Sequence, residues 1–217
     1  MLVKISTIIV GTCITAAALG YFYWYKSSFT SNSNSFEPIK IVSKENNSTT
    51  LKKLQQQATS LKTTVKKNGF NERYVFLIDM SIHSGRKRFF VYNLQKDSIE
   101  KIGLVTHGSG SITGNHQLHF SNIPNSNCTS LGRYKIGKNY KGRFGLAYKL
   151  HGLDKTNDKA FARFVVLHGH SCVPYNEVYP IPICPSSGCP TVAPDFLLEL
   201  KKYIEKSQQP LLLSIYQ

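Results

Sequence analysis

The sequence predicts a mainly β domain with a few helices, which follows an N-terminal segment apolar enough to span a membrane. Two observations indicate the β domain: short apolar and β-branched runs recur from residue 74 onwards, and Gly, Asn and Pro separate them. The 217 residues include 12 Tyr and 12 Phe and are 41% hydrophobic, which suffices for one packed domain with accessory segments. The sequence therefore indicates a folded protein rather than a disordered chain.

The N-terminal segment, residues 5–25, carries no charged side chain and is bracketed by Lys4 and Lys26. A stretch of about 20 such residues crosses a bilayer as a helix, and its closing aromatic residues suit a membrane interface. We therefore assign residues 1–26 as a membrane anchor or uncleaved signal. A cleaved signal peptide is the alternative, because three alanines at 16–18 resemble a cleavage region. Either assignment sends the rest of the chain out of the cytoplasm.

The next segments differ sharply in composition. Residues 27–49 are rich in Ser and Asn and lack hydrophobic periodicity, so we predict a flexible tether. Residues 50–68 form a predicted amphipathic helix, because apolar residues recur at three- and four-residue steps and lysines fill the other face. We expect this helix to pack on the domain edge, with a partner-binding helix as the alternative. The main domain then covers residues 69–217.

Within the main domain the strands are predicted from short apolar runs between turn residues. They are residues 74–79, 88–94, 100–106, 118–120, 133–137, 146–150, 164–168 and 211–216. Ser84-Gly85 predicts a hairpin between the first two strands. Residues 157–161 indicate a short helix, and residues 195–204 an amphipathic helix opened by Pro194.

The charge restricts the partners. The 27 Lys and Arg residues outnumber the 12 Asp and Glu residues, which gives a formal net charge of +15. This charge suits an anionic partner such as nucleic acid, a lipid surface or an acidic polymer. Because the N-terminal segment directs the chain out of the cytoplasm, we expect no nucleic-acid partner, and we expect membrane association through that segment.

The five cysteines are an odd number for an oxidising compartment. Cys13 lies in the apolar N-terminal segment, which leaves Cys128, Cys172, Cys184 and Cys189. If Cys189 must stay free to react, at most one disulfide forms among the others. We hypothesise that Cys172 and Cys184 form this disulfide, which would close a short loop over the segment that contains Cys189.

Two motifs point to a thiol nucleophile and its base. Cys189 follows Gly188 in a glycine turn between two prolines, and His168 ends an apolar run just before Gly169. An imidazole that takes the thiol proton generates the reactive thiolate, and backbone N–H groups of residues 186–188 suit an oxyanion. The alternatives are a structural cysteine and a core histidine satisfied by a backbone hydrogen bond.

A metal site is the other chemistry that the histidines allow. Candidate ligands are His107, His116, His119, Cys128, His168 and His170. None of them occurs at the tight spacing of a Cys-x-x-Cys or His-Glu-x-x-His motif. We therefore expect no metal and no other cofactor.

Several stretches accompany these motifs in a fixed order. They are residues 105–110, 120–122, 130–134, 151–154, 157–158 with Arg163, 165–169 and 186–190. As an ordered set they resemble the murein L,D-transpeptidase catalytic-domain family, the YkuD-like cysteine enzymes, over about residues 74–216. The resemblance implies a β-sandwich-like catalytic domain. Together with the N-terminal segment, it predicts a bacterial, single-pass inner-membrane protein with a periplasmic catalytic domain.

The resemblance assigns roles to individual residues. The nucleophile falls on Cys189 with Gly188 beside it, the base on His168 rather than His170, and the carbonyl that orients the base on Gly169. Substrate-binding roles are predicted for Ser186, Ser187, His107, Asn122, Arg163 and His170. Many relatives carry an arginine where this chain has Pro185 or Thr191. Without that arginine, the contact that it would make to a substrate carboxylate is either lost or made by Arg133, Arg143 or Arg163.

The implied reaction is acyl transfer on peptidoglycan stem peptides. Cys189 attacks the amide after an L-centre and releases the terminal D-residue, and an amine or water resolves the thioester. Hydrolysis only, by an L,D-carboxypeptidase or amidase, is one alternative. A catalytically inactive wall-binding module is another.

Overall fold

The computed structural model of the protein describes Tyr21 and residues 44–114 and 117–217. The chain divides into two units, Met1–Lys44 and Glu45–Gln217, and the domain described below is the second. Apart from Tyr21, the predicted membrane segment lies outside the described residues, as does most of the predicted tether. Within the described ranges, no helix has both the length and the apolar character needed to cross a bilayer.

The described part of the domain is mainly β sheet with two helices, as the sequence predicts. The elements in chain order are α1 (Lys44–Lys67), β1 (Tyr74–Asp79), β2 (Phe89–Asn93), β3 (Ser98–Gly103), β4 (Gly132–Gly142), β5 (Gly145–Gly152), β6 (Val166–Gly169), β7 (Thr191–Val192), α2 (Pro194–Glu205) and β8 (Leu212–Tyr216). Residues 44–49, predicted as tether, thus belong to α1.

Three local predictions are wrong. Residues 118–120 form no strand, because only Leu118 makes a bridge and the His119 and Ser121 amides bond to loop carbonyls. Residues 157–161 form hydrogen-bonded turns instead of a helix. The strand predicted from Phe164 begins at Val166, because Phe164 has a positive φ of 57° that no strand accommodates.

The strands form one sheet of eight in the order β3-β2-β1-β8-β4-β5-β6-β7. β1 and β2 pair antiparallel, as the predicted hairpin requires, whereas β1 pairs parallel with β8 and β6 parallel with β7. Val105, two residues after β3, bridges to Val192 of β7. The two edges of the sheet therefore meet, and the expected sandwich is instead a single sheet curled on itself.

The two faces of the sheet bury separate clusters. On β1, Phe76 and Ile78 face the larger cluster, while Val75 and Leu77 face the cluster under α1, as the two-residue period of a strand requires. The apolar stripe of α1 is fully buried there; its residues are Leu54, Ala58, Leu61 and Val65. Complete burial of such side chains stabilises the fold by roughly 1.5–3 kcal/mol each. The prediction that this helix packs on the domain is confirmed.

Helix α2 supports the part of the sheet that carries the predicted site. It begins at Pro194, two residues after β7, and buries Phe196, Leu197 and Leu200 in the larger cluster. Gly169 at the end of β6 lies against this helix start, where an added Cβ would be 3.1 Å from the Pro194 Cα. The ends of β6 and β7 are therefore packed tightly against α2.

Candidate active site

The sheet brings the backbones of the predicted nucleophile and base close to each other. In the parallel β6–β7 pair, His168 is directly opposite Thr191, and Cys189 lies two residues before Thr191. The two residues are distant in the sequence but close in space because β6 and β7 are adjacent. Their side chains bond to different groups, so their action as a catalytic pair stays a prediction.

The His168 ring is buried and held in one tautomer. Its Nδ1 lies 3.1 Å from the Gly169 carbonyl, so Nδ1 carries the proton and donates it, leaving Nε2 as the acceptor. Phe144 stacks on the ring with centroids 5.3 Å apart. Burial lowers the pKa of His168. The hydrogen bond to Gly169 partly opposes this decrease, and the nearby His170 adds to it. The imidazole is therefore neutral at pH 7, as a base requires.

Thr191 holds the basic nitrogen of this ring. Its Oγ1 lies 3.0 Å from Nε2 of His168, and because that nitrogen is the acceptor, the hydroxyl donates. A second acceptor for the hydroxyl, the Cys189 carbonyl, is 3.5 Å away. Thr191 occupies one of the two positions where an arginine was expected, and its contact with the base was not predicted.

The Cys189 thiol is half-buried and has a different partner. Its Sγ lies 3.7 Å from the carbonyl oxygen of Phe164, to which the thiol donates. Burial raises the pKa of the Cys189 thiol, and a hydrogen bond from the Val166 backbone and the charge of Arg163 oppose this rise. At rest the pair is therefore a neutral thiol and a neutral imidazole, each bonded to a third group.

Ser186 builds the loop that presents the cysteine. Its hydroxyl accepts from the Gly188 N–H at 3.1 Å and donates to the Cys189 carbonyl at 2.6 Å. Its backbone N–H donates to the His107 carbonyl, and its carbonyl accepts from Ser109. The substrate-binding role predicted for Ser186 stays a prediction, because this hydroxyl is engaged inside the loop.

The backbone amides of the loop differ in availability. The Gly188 N–H is occupied by Ser186, whereas the N–H groups of Ser187 and Cys189 donate to no other residue that the structure describes. Free amides next to a nucleophile are the usual donors for an oxyanion. The Ser187 and Cys189 amides are thus better placed for this role than the predicted Gly188 amide.

Gly188 has no room for a side chain, and Gly188→Ala is expected to distort the loop. Its φ is +106°, and an added Cβ would lie 2.7 Å from the Cys128 carbonyl oxygen. We expect a cost of about 1–3 kcal/mol, seen as a lower thermal midpoint and slower labelling of Cys189 by iodoacetamide. Gly145→Ala is the matched control, because Gly145 also has a positive φ of 87° but nothing within 4 Å. Equal labelling rates in the two variants would contradict this expectation.

Arg163 is the cation beside the cysteine. Its guanidinium donates to the carbonyls of Ser121 at 3.0 Å and Cys128 at 2.8 Å and to the hydroxyl of Ser130. Its Nη2 lies 3.5 Å from the position of a Cβ on Gly188. Within the described ranges Arg163 has no carboxylate partner. Its positive charge next to the thiol is therefore not neutralised by the protein.

The other two arginines differ from Arg163. Arg133 forms an ion pair with Asp154, whose carboxylate it contacts through Nε at 3.0 Å and through Nη2. Arg143 lies over the Phe144 ring, 5.5 Å from its centroid. Of the three candidates to replace the missing arginine, Arg163 is thus the one whose charge acts on Cys189.

His107 is buried and bonded to Arg88, a contact that no sequence motif indicates. Its Nδ1 accepts from Nη2 of the fully buried Arg88 at 3.0 Å, and Arg88 also donates to the carbonyls of Val105 and Ile82. Burial, followed by the charge of Arg88, lowers the pKa of His107 to about 4. The only sequence signal for this contact was a basic residue at the start of an apolar strand. The predicted binding role of His107 stays a prediction.

The remaining predicted site residues lie around the loop. Asn122 donates to the Asp158 carboxylate at 2.6 Å and to the Lys155 carbonyl, which ties it to a neighbouring turn. The exposed Ser187 is part of the cysteine loop. His170 accepts from the Cys172 N–H at 3.1 Å and meets Phe144 edge-on.

A disulfide joins the segments that carry the two reactive residues. Cys172 and Cys184 are bonded, with Cα atoms 6.1 Å apart, which confirms the pairing hypothesis. Cys128 and Cys189 are free thiols. Among the described residues, which exclude His116, no cluster of His, Cys, Asp or Glu side chains is suited to holding a metal ion.

The sequence profile of the L,D-transpeptidase catalytic domain matches residues 45–213. The chain therefore belongs to the L,D-transpeptidase catalytic-domain family, as the ordered motifs indicated. No curated protein matches the sequence.

The solved structures that match the chain are distant from it in sequence. The Ldtfm–avibactam carbamoyl enzyme is 11% identical with a TM-score of 0.42, over 68% of this chain and 50% of that one. The cell shape determining protein Pgp2 of Campylobacter jejuni is 13% identical with a TM-score of 0.43, over 67% and 48%. An L,D-transpeptidase of Xylanimonas cellulosilytica is 12% identical with a TM-score of 0.37, over 71% and 68%. The chain thus spans about half the length of the first two.

Proposed function

We propose that this protein is a cysteine acyltransferase that acts on peptidoglycan stem peptides through a thioester on Cys189. The observation that carries the proposal is the pairing of β6 with β7, which places His168 opposite Thr191, two residues from Cys189, with the neutral base held in one tautomer. Arg163 has no carboxylate partner among the described residues, and its charge attracts a substrate carboxylate at long range, although its terminal N–H groups bond to Ser121, Ser130 and Cys128. Membership of the L,D-transpeptidase family supports the choice of substrate class.

The first step in this mechanism is proton transfer. The Thr191 hydroxyl turns from Nε2 of His168 to its second acceptor, the Cys189 carbonyl, and thereby frees the lone pair of the base. The thiol turns from the Phe164 carbonyl towards His168 and passes its proton from Sγ to Nε2, which creates a thiolate and an imidazolium. The Gly169 carbonyl stabilises the imidazolium through the Nδ1 proton.

The second step forms and then resolves the thioester. The thiolate attacks the carbonyl carbon of the stem-peptide amide, and the amides of Ser187 and Cys189 bind the oxyanion. His168 gives its proton to the leaving nitrogen, so that the C–N bond breaks and the D-residue departs. An amine from a second stem, or water, then attacks the thioester, loses a proton to His168 and regenerates the thiol.

A product assay tests this proposal. The purified full-length chain is incubated with a disaccharide stem peptide, with and without an acceptor amine, and the products are identified by mass spectrometry. A transpeptidase gives a crosslinked product with the amine, whereas hydrolysis only gives the shortened stem in both cases. Absence of any product and of any acyl adduct on the protein would contradict the proposal and support a wall-binding module.

We also propose that the catalytic domain faces the periplasm of a bacterium and is anchored by residues 1–26. The support is the uncharged stretch of residues 5–25 and the Cys172–Cys184 disulfide, since such bonds persist in oxidising compartments. Intact-mass measurement of the mature protein tests the anchor, because a cleaved signal peptide would remove this stretch.

A further inference from the structure

Phe164 is in direct contact with the predicted nucleophile through its backbone. Its carbonyl oxygen lies 3.7 Å from Sγ of Cys189, and the neighbouring Val166 backbone donates to the same sulfur. The preceding residue is Arg163, whose guanidinium lies beside Gly188. The turn that ends at Phe164 therefore forms one side of the thiol's surroundings.

The backbone at Phe164 has the geometry that usually requires glycine. The Phe164 N–H bonds to the Phe161 carbonyl at 3.1 Å, and the Val165 N–H bonds to the Ala160 carbonyl at 2.9 Å. This pair of bonds is the Schellman pattern, in which the residue after the last helical turn is left-handed and is most often glycine. Phe164 occupies that position with a φ of +57°. A bulky residue there costs of order 1–3 kcal/mol.

Packing against the described part of the chain does not explain the phenylalanine. The residue is 84% exposed, more than any other large hydrophobic residue that the structure describes. A glycine would relieve the backbone strain and remove exposed apolar surface at the same time. The protein instead keeps an aromatic ring in water, on the residue whose carbonyl contacts the thiol. Strained residues of this kind cluster where they serve a ligand.

We propose that the Phe164 ring is a binding platform for the donor stem peptide, packing against the aliphatic part of the residue whose carbonyl Cys189 attacks. This inference rests on the proposed function and adds the residue that selects the substrate. The turn then presents two complementary groups: an apolar ring at Phe164 and an un-neutralised guanidinium at Arg163. A peptide that carries both aliphatic and carboxylate groups matches this pair.

Three variants separate the ring from the backbone. Phe164→Gly and Phe164→Asn remove the ring, keep the carbonyl and tolerate a positive φ, whereas Phe164→Tyr keeps the ring. We expect the glycine variant to be at least as stable as the wild type. We expect the KM for the stem peptide to rise about five- to tenfold in the glycine and asparagine variants, with kcat and iodoacetamide labelling of Cys189 little changed. The tyrosine variant should retain wild-type kcat/KM.

A binding measurement keeps this test independent of turnover. Calorimetry with the full chain carrying Cys189→Ala, with and without Phe164→Gly, gives the affinity for an unmodified disaccharide stem peptide. Five- to tenfold weaker binding of the double variant supports the platform even if the wild type turns nothing over. Equal affinities, or wild-type kcat/KM in both ring-less variants, would overturn the inference.

Discussion

Replacing Cys189 by alanine is expected to abolish turnover of stem peptides while leaving the fold intact. No other described group near His168 supplies a nucleophile of comparable strength, since the neighbouring Thr191 hydroxyl is bonded to the base as a donor. The side chain is only half-buried and makes one weak contact to a backbone carbonyl, so its loss leaves the loop held by Ser186. We expect at least about a 10³-fold fall in rate, typical of the loss of a catalytic nucleophile.

The measurement is product formation by mass spectrometry, together with a circular dichroism melting curve. Cys128→Ala is the matched control, because Cys128 is the other free thiol in the described chain and lies buried. It is expected to keep activity, apart from a small loss of stability. A Cys189→Ala protein that still turns over stem peptides would exclude the thioester mechanism. A Cys128→Ala protein that loses turnover without unfolding would indicate that Cys128, and not Cys189, is the nucleophile.

The second large effect is expected for His168→Gln, which removes the base but keeps a hydrogen-bonding side chain. A positioned general base typically contributes about 10²–10⁴-fold, so kcat/KM should fall by that factor. His170→Gln is the control. His170 lies two residues after His168, but its ring accepts a hydrogen bond from the Cys172 amide and does not contact Thr191. It should lose less activity than His168→Gln, because the role predicted for His170 is substrate binding and not proton transfer. A larger loss from His170→Gln than from His168→Gln would reverse the assignment of the base.

The pH dependence follows from the two pKa shifts. Because the pKa of His168 is lowered, the ring stays unprotonated and able to accept a proton below its ordinary value of about 6.5. Activity should therefore persist in mild acid and fall only when the pH drops through the lowered His168 pKa. Because the pKa of Cys189 is raised, direct iodoacetamide labelling should increase towards alkaline pH. In His168→Gln the acid limb of the activity profile should disappear.

The strongly patterned elements could be predicted from the sequence. The alternating residues of β1 and the apolar stripe of α1 each follow the period of their element, and burial follows that period. His168 and Cys189 could be named because a histidine that ends an apolar run and a cysteine after glycine are local signals. The Cys172–Cys184 bridge could be named as well: counting leaves at most one bridge among three thiols, and this pair closes a short loop near the predicted site.

The remaining features depend on contacts that no local pattern encodes. The bond from Thr191 to His168 arises from the parallel register of two short strands, one of only two residues. Arg88 donates to His107 because β2 and β3 pair antiparallel, with Phe89 opposite Gly103, so that the chain leaving β3 passes the start of β2. Phe164 was assigned to a strand because its neighbours are apolar. Its left-handed backbone is set instead by the turn that precedes it.

The closure of the sheet also bears on how the chain acquires its reactivity. The loop that carries Cys189 is anchored to the segment after β3 by the Thr191–Thr106 hydrogen bond, which links residues 85 positions apart. Pairings between distant parts of a chain form late, because their loop-closure entropy must be overcome before the contacts stabilise them. The Val105–Val192 bridge belongs to the same class. We therefore expect nascent and partly folded chains to lack the assembled pair of thiol and imidazole, so that reactivity develops late in folding.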